Sequence, residues 1–547
     1  GLGSTGSFLV GSNPTTASAA QGSASTVTLA DTNTITAGTF AVGSASTNNQ
    51  VSTDGPTTLY LGRSNTINAT TVYVGHGAAS TVNGTMKFDP DVLASSPTAT
   101  FRGTAGTSTA VTTFYVGVNT TNSSASQTGV VDFTGGLVDA IITTLLVGGS
   151  ITNFPTAKAQ GTLSMDAGTI TATTTGIGQA SGLSATSTTF GILNVAGGTF
   201  TTTNLLLANH NYGAASTAPV TGTVNISGTG AVTVSSASGI VMGQHTNAAN
   251  SAAVTATINI TGGSLTVSGN IAEGTNPTGV TSSLNLDGGT LEMNSKAISV
   301  DTFTAASGTL RNLGQLNSGG TFTKTTSGTL ILAGTNTYTG STAINGGTLL
   351  VSGTHTGGGS YSINNLGTLS GSGTITTAGN AGVSLLAGGK LAPGSTSSGL
   401  KLDLGTGSLD ISGGVTSAAS QSLLFTLGTV SDKISMTNAS SVLNIGSGVL
   451  NFDDFVFSQG TGFAAGDYTL FDTGNTIVGT LGSNLTGTVG GFGATLHFGN
   501  SNQDVIITLA VPEPSQMAFL CMSGVCFLVW RSRRKLATRL AVKFQDS

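Results

Sequence analysis

One short element recurs along this chain: an apolar residue, a polar one, an apolar one, then a glycine turn. It reads VVDFTGG, TLSMDAG, ILNVAGG, TVNISGT, TINITGG and SLNLDGG, anchored on Val131, Leu163, Leu193, Val224, Ile258 and Leu284. The steps between anchors are 32, 30, 31, 34 and 26 residues. A period near thirty residues points to stacking, because one such repeat cannot bury its own apolar side and needs its neighbours. A second element lies between copies, as TTVYVG, TTFYVG, TTLLVG, TNLLLAN and SGIVMG, and a third as GTITA, GTFTT or GSLTV. The longest and most variable connection follows the second element, in GQASGLSATSTT and NHNYGAASTAPV.

Three short strand-like pieces per repeat, with no helical pattern, predict an all-β, right-handed parallel β-helix (β-solenoid). Coils stacked about 4.8 Å apart bury a continuous core and satisfy the backbone along the stack. A propeller is the competing all-β architecture, but it needs about four longer strands per 40–50 residues. Composition agrees with strands rather than disorder. Charged residues are only 7% of the chain, but 38% are hydrophobic, mostly in short alternating clusters. Glycine, at 82 of 547 residues, supplies the corners.

Charge is placed unevenly. Six of the sixteen basic residues lie at 531–543, leaving residues 1–530 with 10 basic and 20 acidic residues, a net of −10. An acidic body offers no basic track for phosphates, which argues against nucleic-acid binding. The two cysteines, Cys521 and Cys526, sit in an oily C-terminal run, so the body has no disulfide, thiolate zinc site or cysteine nucleophile. The chain opens GLGSTGSFLVG without Met or a charged, apolar leader. An exported protein would have lost its signal peptide, or the chain is partial.

Strand alternation directs the anchors inward and the residues between them outward. Asn194, Asn225, Asn259 and Asn285 then form an outward column, in which each side-chain amide donates to one neighbour and accepts from the other. That role is structural.

Nothing in the body converges on catalysis. Asp89 with Asp91, and Asp453 with Asp454, are the close acid pairs, and both read as surface-loop acids without a basic partner. His76, His210 and His245 each follow the second element. Stacking brings the last two near each other, but two histidines without acids or thiols make a poor metal site, and loop histidines are the reading preferred. No P-loop, G-x-S-x-G or H-E-x-x-H motif is present. No catalytic residue, metal site or cofactor is expected.

The densest body motif is TFTKTTSGTLILAGTNTYTGSTAINGGTLLVSG, residues 321–353. It resembles the autotransporter-associated β-strand repeat through Lys324, Gly328, Thr329, Leu330, Leu332, Gly334, Asn336, Thr337, Tyr338, Thr339, Gly340, Thr342, Ile344, Gly347, Thr348 and Leu349. Thr326 replaces one glycine of the pattern. The resemblance implies coils of a surface-exposed β-helix and no chemistry. A membrane β-barrel is not expected at 401–510, which is too short for eight strands of about ten residues. Its Phe-rich alternation predicts a β cap over the open end.

The chain ends VPEPSQMAFLCMSGVCFLVWRSRRK, residues 511–535. Pro512, Glu513 and Pro514, an apolar run from Met517 to Trp530, and Arg531, Arg533 and Arg534 follow in order. This tail resembles a PEP-CTERM sorting signal. The resemblance implies export, retention by the tail, and processing by an exosortase-type membrane protease for delivery to the cell surface or extracellular matrix. Fourteen apolar residues make a helix of about 21 Å, short for a bilayer of about 30 Å, and the basic residues are expected to stay cytoplasmic.

The expected organisation is thus solenoid repeats at 1–320, autotransporter-associated coils at 321–400, a β cap at 401–510, and a sorting signal at 511–547. That signal comprises the motif at 512–514, one short transmembrane helix at 517–530 and a basic tail at 531–547. The expected function is that of an exported, non-enzymatic structural or adhesive protein. Its expected partners are the exosortase-type protease, the membrane through its C-terminal helix, and an extracellular polysaccharide. A surface-delivered β-helical polysaccharide lyase or glycoside hydrolase is the alternative.

Overall fold

The computed structural model describes residues 5–13, 24–45, 56–77, 81–120, 126–151, 158–181, 188–211, 218–248, 252–394, 399–416 and 419–511. The expected triplet at 512–514, apolar run at 517–530 and basic tail at 531–547 lie outside them. No helix among the described residues is long and apolar enough to cross a membrane.

The recurrent element becomes a column of parallel strands. These are Gln127–Asp132, Ala159–Met165, Thr189–Val195, Val220–Ile226, Val254–Ile260 and the first half of Val280–Glu292. Val131 pairs with Leu163, Leu163 with Leu193, and the series continues through Val224, Ile258 and Leu284. The sequence period is therefore the strand register. All six anchors are buried, since alternate residues of a strand face opposite sides.

After a glycine turn, the chain enters strands that bend round further corners: Leu137–Ser150, Gly168–Ser181 and Thr199–Asn211. Pairing skips Thr173 and Thr203 at one corner, and Gly178 and Ala208 at the next. In the following coil the same path is cut into Ala231–Val234 and Ile240–His245. The second corner is tight. Gly178 has φ 71°, and a Cβ there would lie 2.1 Å from the carbonyl oxygen of Thr221 on a neighbouring strand. Ala208 takes the same corner at φ 49°.

Beyond Val280–Glu292 the coils contract. Leu330, Leu349, Leu369 and Leu391 pair in succession at steps of 19, 20 and 22 residues. Each short coil adds to three sheets. One has 30 strands and carries on from the earlier coils. A 7-stranded sheet begins at Phe322–Lys324 and a 9-stranded sheet at Thr335–Asn336.

Parallel pairing runs on past residue 401. Leu391, Leu423 and Phe455 continue the column, now at steps of 32 residues, because LLFTL and FVFSQ supply further alternating strands. Among the described residues, antiparallel pairing enters only where Gly466–Thr473 meets Asp504–Ala510, which pairs with Phe492–Gly499, itself paired with Thr486–Val489. One apolar cluster runs through the whole stack, from Val10 to Leu509.

Candidate functional site

The outward asparagines form a single hydrogen-bonded file. Asn285 Nδ2 donates to Asn259 Oδ1 at 2.9 Å, Asn259 to Asn225 at 2.8 Å, and Asn225 to Asn194 at 2.8 Å. Asn194 donates to Ser164 Oγ at 3.0 Å, so all four bonds run toward the N-terminus. A second amide contact, Gln244 Nε2 to Asn209 Oδ1 at 3.0 Å, joins two coils on the third face. These two residues lie outside the short repeated element, so no repeat pattern points to their contact.

The histidines are not loop residues. His76 ends strand Ser64–His76, and His210 and His245 lie at the ends of Thr199–Asn211 and Ile240–His245. His210 and His245 are fully buried, with Nδ1 atoms 3.2 Å apart, so one ring donates to the other. Burial, and then the neighbouring His245, pushes His210 down to about 4. His76 stacks on Tyr73 at 4.0 Å and bonds Thr120 Oγ1 at 2.8 Å, and burial lowers it to about 4. No group of three or more metal-ligating side chains occurs among the described residues.

The acid pairs are structural, and one is not at the surface. Asp89 caps the 3-10 turn Pro90–Ser95 by accepting from Asp91 N at 3.1 Å. Asp454 is 1% exposed. Its carboxylate takes Ser420 N, Ser420 Oγ and Asn451 N at 3.2, 2.7 and 2.8 Å, so it ties two coils together.

A different acid pair meets where the coils contract. Ser282 Oγ donates to Glu273 Oε1 at 2.6 Å, and Ser282 N to Asp301 Oδ2 at 3.0 Å. Glu273 is raised by burial and then by the adjacent Asp301 carboxylate. Glu273 and Asp301 come from different coils and follow no repeat, so pattern reading had no means of pairing them.

The short coils carry polar groups inside. Lys324 is fully buried, with Nζ bonded to the Thr326 carbonyl, Thr326 Oγ1 and the Gly346 carbonyl. Asn336, also buried, accepts from Leu313 N and donates to Ala333 O, both at 2.9 Å. His355 lies between Tyr361 OH at 2.5 Å and the Tyr338 carbonyl at 2.8 Å. The carbonyl only accepts, so Nε2 carries the proton and Nδ1 accepts from Tyr361. Tyr338 OH meets Thr342 Oγ1 at 2.8 Å, and burial raises Tyr338 to about 12. Lys324, Asn336, Tyr338 and Thr342 are all positions of the sequence motif and are interior fittings, whereas its Thr329, Thr337 and Thr339 are exposed.

Comparison with known proteins bears on this region. Residues 322–351 match the family model described as the passenger-associated-transport-repeat. No curated protein and no solved structure matches the chain. The matched repeat is the one found in β-helical autotransporter passengers, which indicates an exported, surface-displayed β-helix.

Proposed function

We propose that this chain is a structural or adhesive β-helix of the bacterial surface or extracellular matrix, sorted through its C-terminal tail by an exosortase-type protease. The observation that carries the reading is a passenger-type repeat whose strands stack on one another within a long parallel stack. The ordered triplet, apolar run and arginine cluster at 512–534 supply the delivery route. Proline fixes φ and restricts the residue before it, and on this reading Pro512 and Pro514 serve to present the segment to the protease.

Changing Pro512 and Pro514 together to Ala in the native host should leave insertion intact and block release. Full-length protein then accumulates in the membrane fraction. Replacing Arg531, Arg533 and Arg534 with Ser should instead weaken retention and orientation. Equal release of the double-proline variant and the parent protein would leave only a plain membrane anchor.

The Glu273–Asp301 pair favours a second reading, as a surface-delivered glycan-cleaving β-helix, because two carboxyls meeting at Ser282, with Glu273 raised by burial, are the kind of group such catalysis uses. Release of oligosaccharides by the purified protein, lost in Glu273→Gln, would establish it.

A further inference from the structure

The outward side of the first face carries a neutral polar lattice. The strand Val220–Ile226 turns Thr221, Thr223 and Asn225 outward, each half-buried, and the same positions of the next two strands in register read Thr-Thr-Asn and Thr-Ser-Asn. On the other side, Thr189–Val195 turns out Phe190, Ile192 and Asn194, and Ala159–Met165 turns out a Gln, a Thr and a Ser. Across these five strands thirteen of fifteen outward side chains are polar and none is charged. At about 3.4 Å per residue and about 4.8 Å per strand, the face measures roughly 14 by 19 Å.

The hydrogen-bonding groups of this face are only partly used. Asn225 and Asn259 each spend one N–H and one oxygen lone pair on the file, so one N–H and one lone pair of each amide remain for a partner. The hydroxyls of Thr221, Thr223, Thr255 and Thr257 make no hydrogen bond among the described residues. Interior threonines differ: Thr175 Oγ1 donates to Thr202 Oγ1 at 2.9 Å. Because every amide of the file points the same way, the free groups recur at each coil step with one direction.

We propose that this face binds a linear, uncharged polysaccharide laid along the stack axis, one sugar unit per coil. The lattice repeats one set of donors and acceptors at each step, and so matches a polymer that repeats one unit. The coil rise is close to the advance of one pyranose along an extended chain. An anionic polymer is disfavoured by a body whose net charge over residues 1–530 is −10. A cationic polymer finds no carboxylate on the face; Asp166 and Asp287, at its edge, are bonded to Gly135 N and Ser307 Oγ. Thirteen polar positions of fifteen suit sugar hydroxyls better than a protein partner, whose contact core is more apolar. Phe190 and Ile192 form the one apolar step, which suits the C–H face of a ring.

The site gives the adhesive reading a ligand and rests on that reading for its setting. Purified full-length protein in detergent is titrated by calorimetry with cello- and manno-oligosaccharides of two to eight units, and with oligogalacturonates as the charged counterpart. One neutral series should bind saturably, with affinity rising roughly threefold per unit up to about five units and levelling off beyond. Thr223→Val with Thr257→Val removes two hydroxyls and keeps the β-branched shape, and should weaken hexaose binding about tenfold. Thr171→Val with Thr201→Val, outward on the adjoining face, should change nothing. Thermal midpoints near the parent's would show that both variants fold, and the length series tests the site without either. Absence of saturable binding by both neutral series, affinity independent of length, tighter binding of the charged series, or unchanged binding by the Thr223/Thr257 variant would overturn the proposal. So would a parent dimer in sedimentation that this variant dissolves, since a second copy would then cover the face. Failure of the surface reading shows instead in cell fractionation, so the two are told apart.

Discussion

The long coils between Ala159 and Glu292 and the short coils from Phe322 to Pro393 keep the same parallel stack in register with different balances of polar contact. In the long coils the interior is apolar along the first face, whose polar contacts between coils lie outside in the file from Asn285 to Ser164, and buried polar contacts sit at the far corners, as between His210 and His245. In the short coils the polar contacts are inside, at Lys324, Asn336, His355 and Tyr361. An apolar interior tolerates many residues of similar size. A buried polar contact demands a particular donor and acceptor, because leaving one unpaired is expensive. Lys324, Asn336 and Tyr338, buried polar positions of the short coils, lie within the matched segment 322–351.

The comparison predicts that backbone corners limit the long coils most severely. Gly178→Ala combines positive φ with a Cβ 2.1 Å from a backbone oxygen, and should cost about 2–4 kcal/mol in urea unfolding. Ala208→Gly, at the equivalent corner of the next coil, should change stability by no more than about 1 kcal/mol. Equal effects at the two positions would mean that the corner geometry is not shared.

For the short coils, Tyr361→Phe removes the hydroxyl that His355 Nδ1 accepts from, at a site buried from solvent. A cost of about 1–3 kcal/mol is expected in the same assay. A variant as stable as the parent would show that the interior network contributes nothing.

Much of the long-coil register was legible in sequence, because the six anchors follow both a strand period and a coil period. The asparagine file was legible for the same reason. Burial of His210, His245 and Lys324 was not, since charged or titratable residues ordinarily lie outside; the corners at Ala208 and Gly243 turn the histidines inward, and Lys324 follows the alternation of its strand from Phe322. The Glu273–Asp301 pair depends on a contraction of the coil, which leaves no periodic trace. The β cap expected at 401–510 carried no statement of strand direction; parallel pairing continues past 401 and antiparallel pairing begins at Gly466, a change that strand alternation alone does not encode.

The buried histidines give the long coils a pH response that the asparagine file lacks. His210 and His76 are lowered to about 4 from an ordinary 6.5, so the folded state favours their neutral forms. The unfolded chain takes up protons first as pH falls. Stability should therefore be full above pH 6.5, decline toward pH 4 by at most about 1.4 kcal/mol per unit for each histidine, and level off below. Thermal melts across that range, with His210→Asn for comparison, check this. A flat profile in the parent protein would contradict it.

The smallest effect is expected in the outward file. Asn259→Asp removes the donor to Asn225 and places a charge beside Asn285, which should cost about 1 kcal/mol. An unchanged midpoint would mean that these amides act as independent surface groups.

The stack itself is tested most directly by distances between spin labels on the outward column. Labels at Asp132 and Asn285, in a chain with Cys521 and Cys526 changed to Ser, are five coil steps apart. At about 4.8 Å per step the account predicts a narrow distribution centred near 24 Å, and one near 14 Å for labels at Asn194 and Asn285. Distances that do not scale with the number of coils, or a broad distribution for either pair, would contradict a single parallel stack.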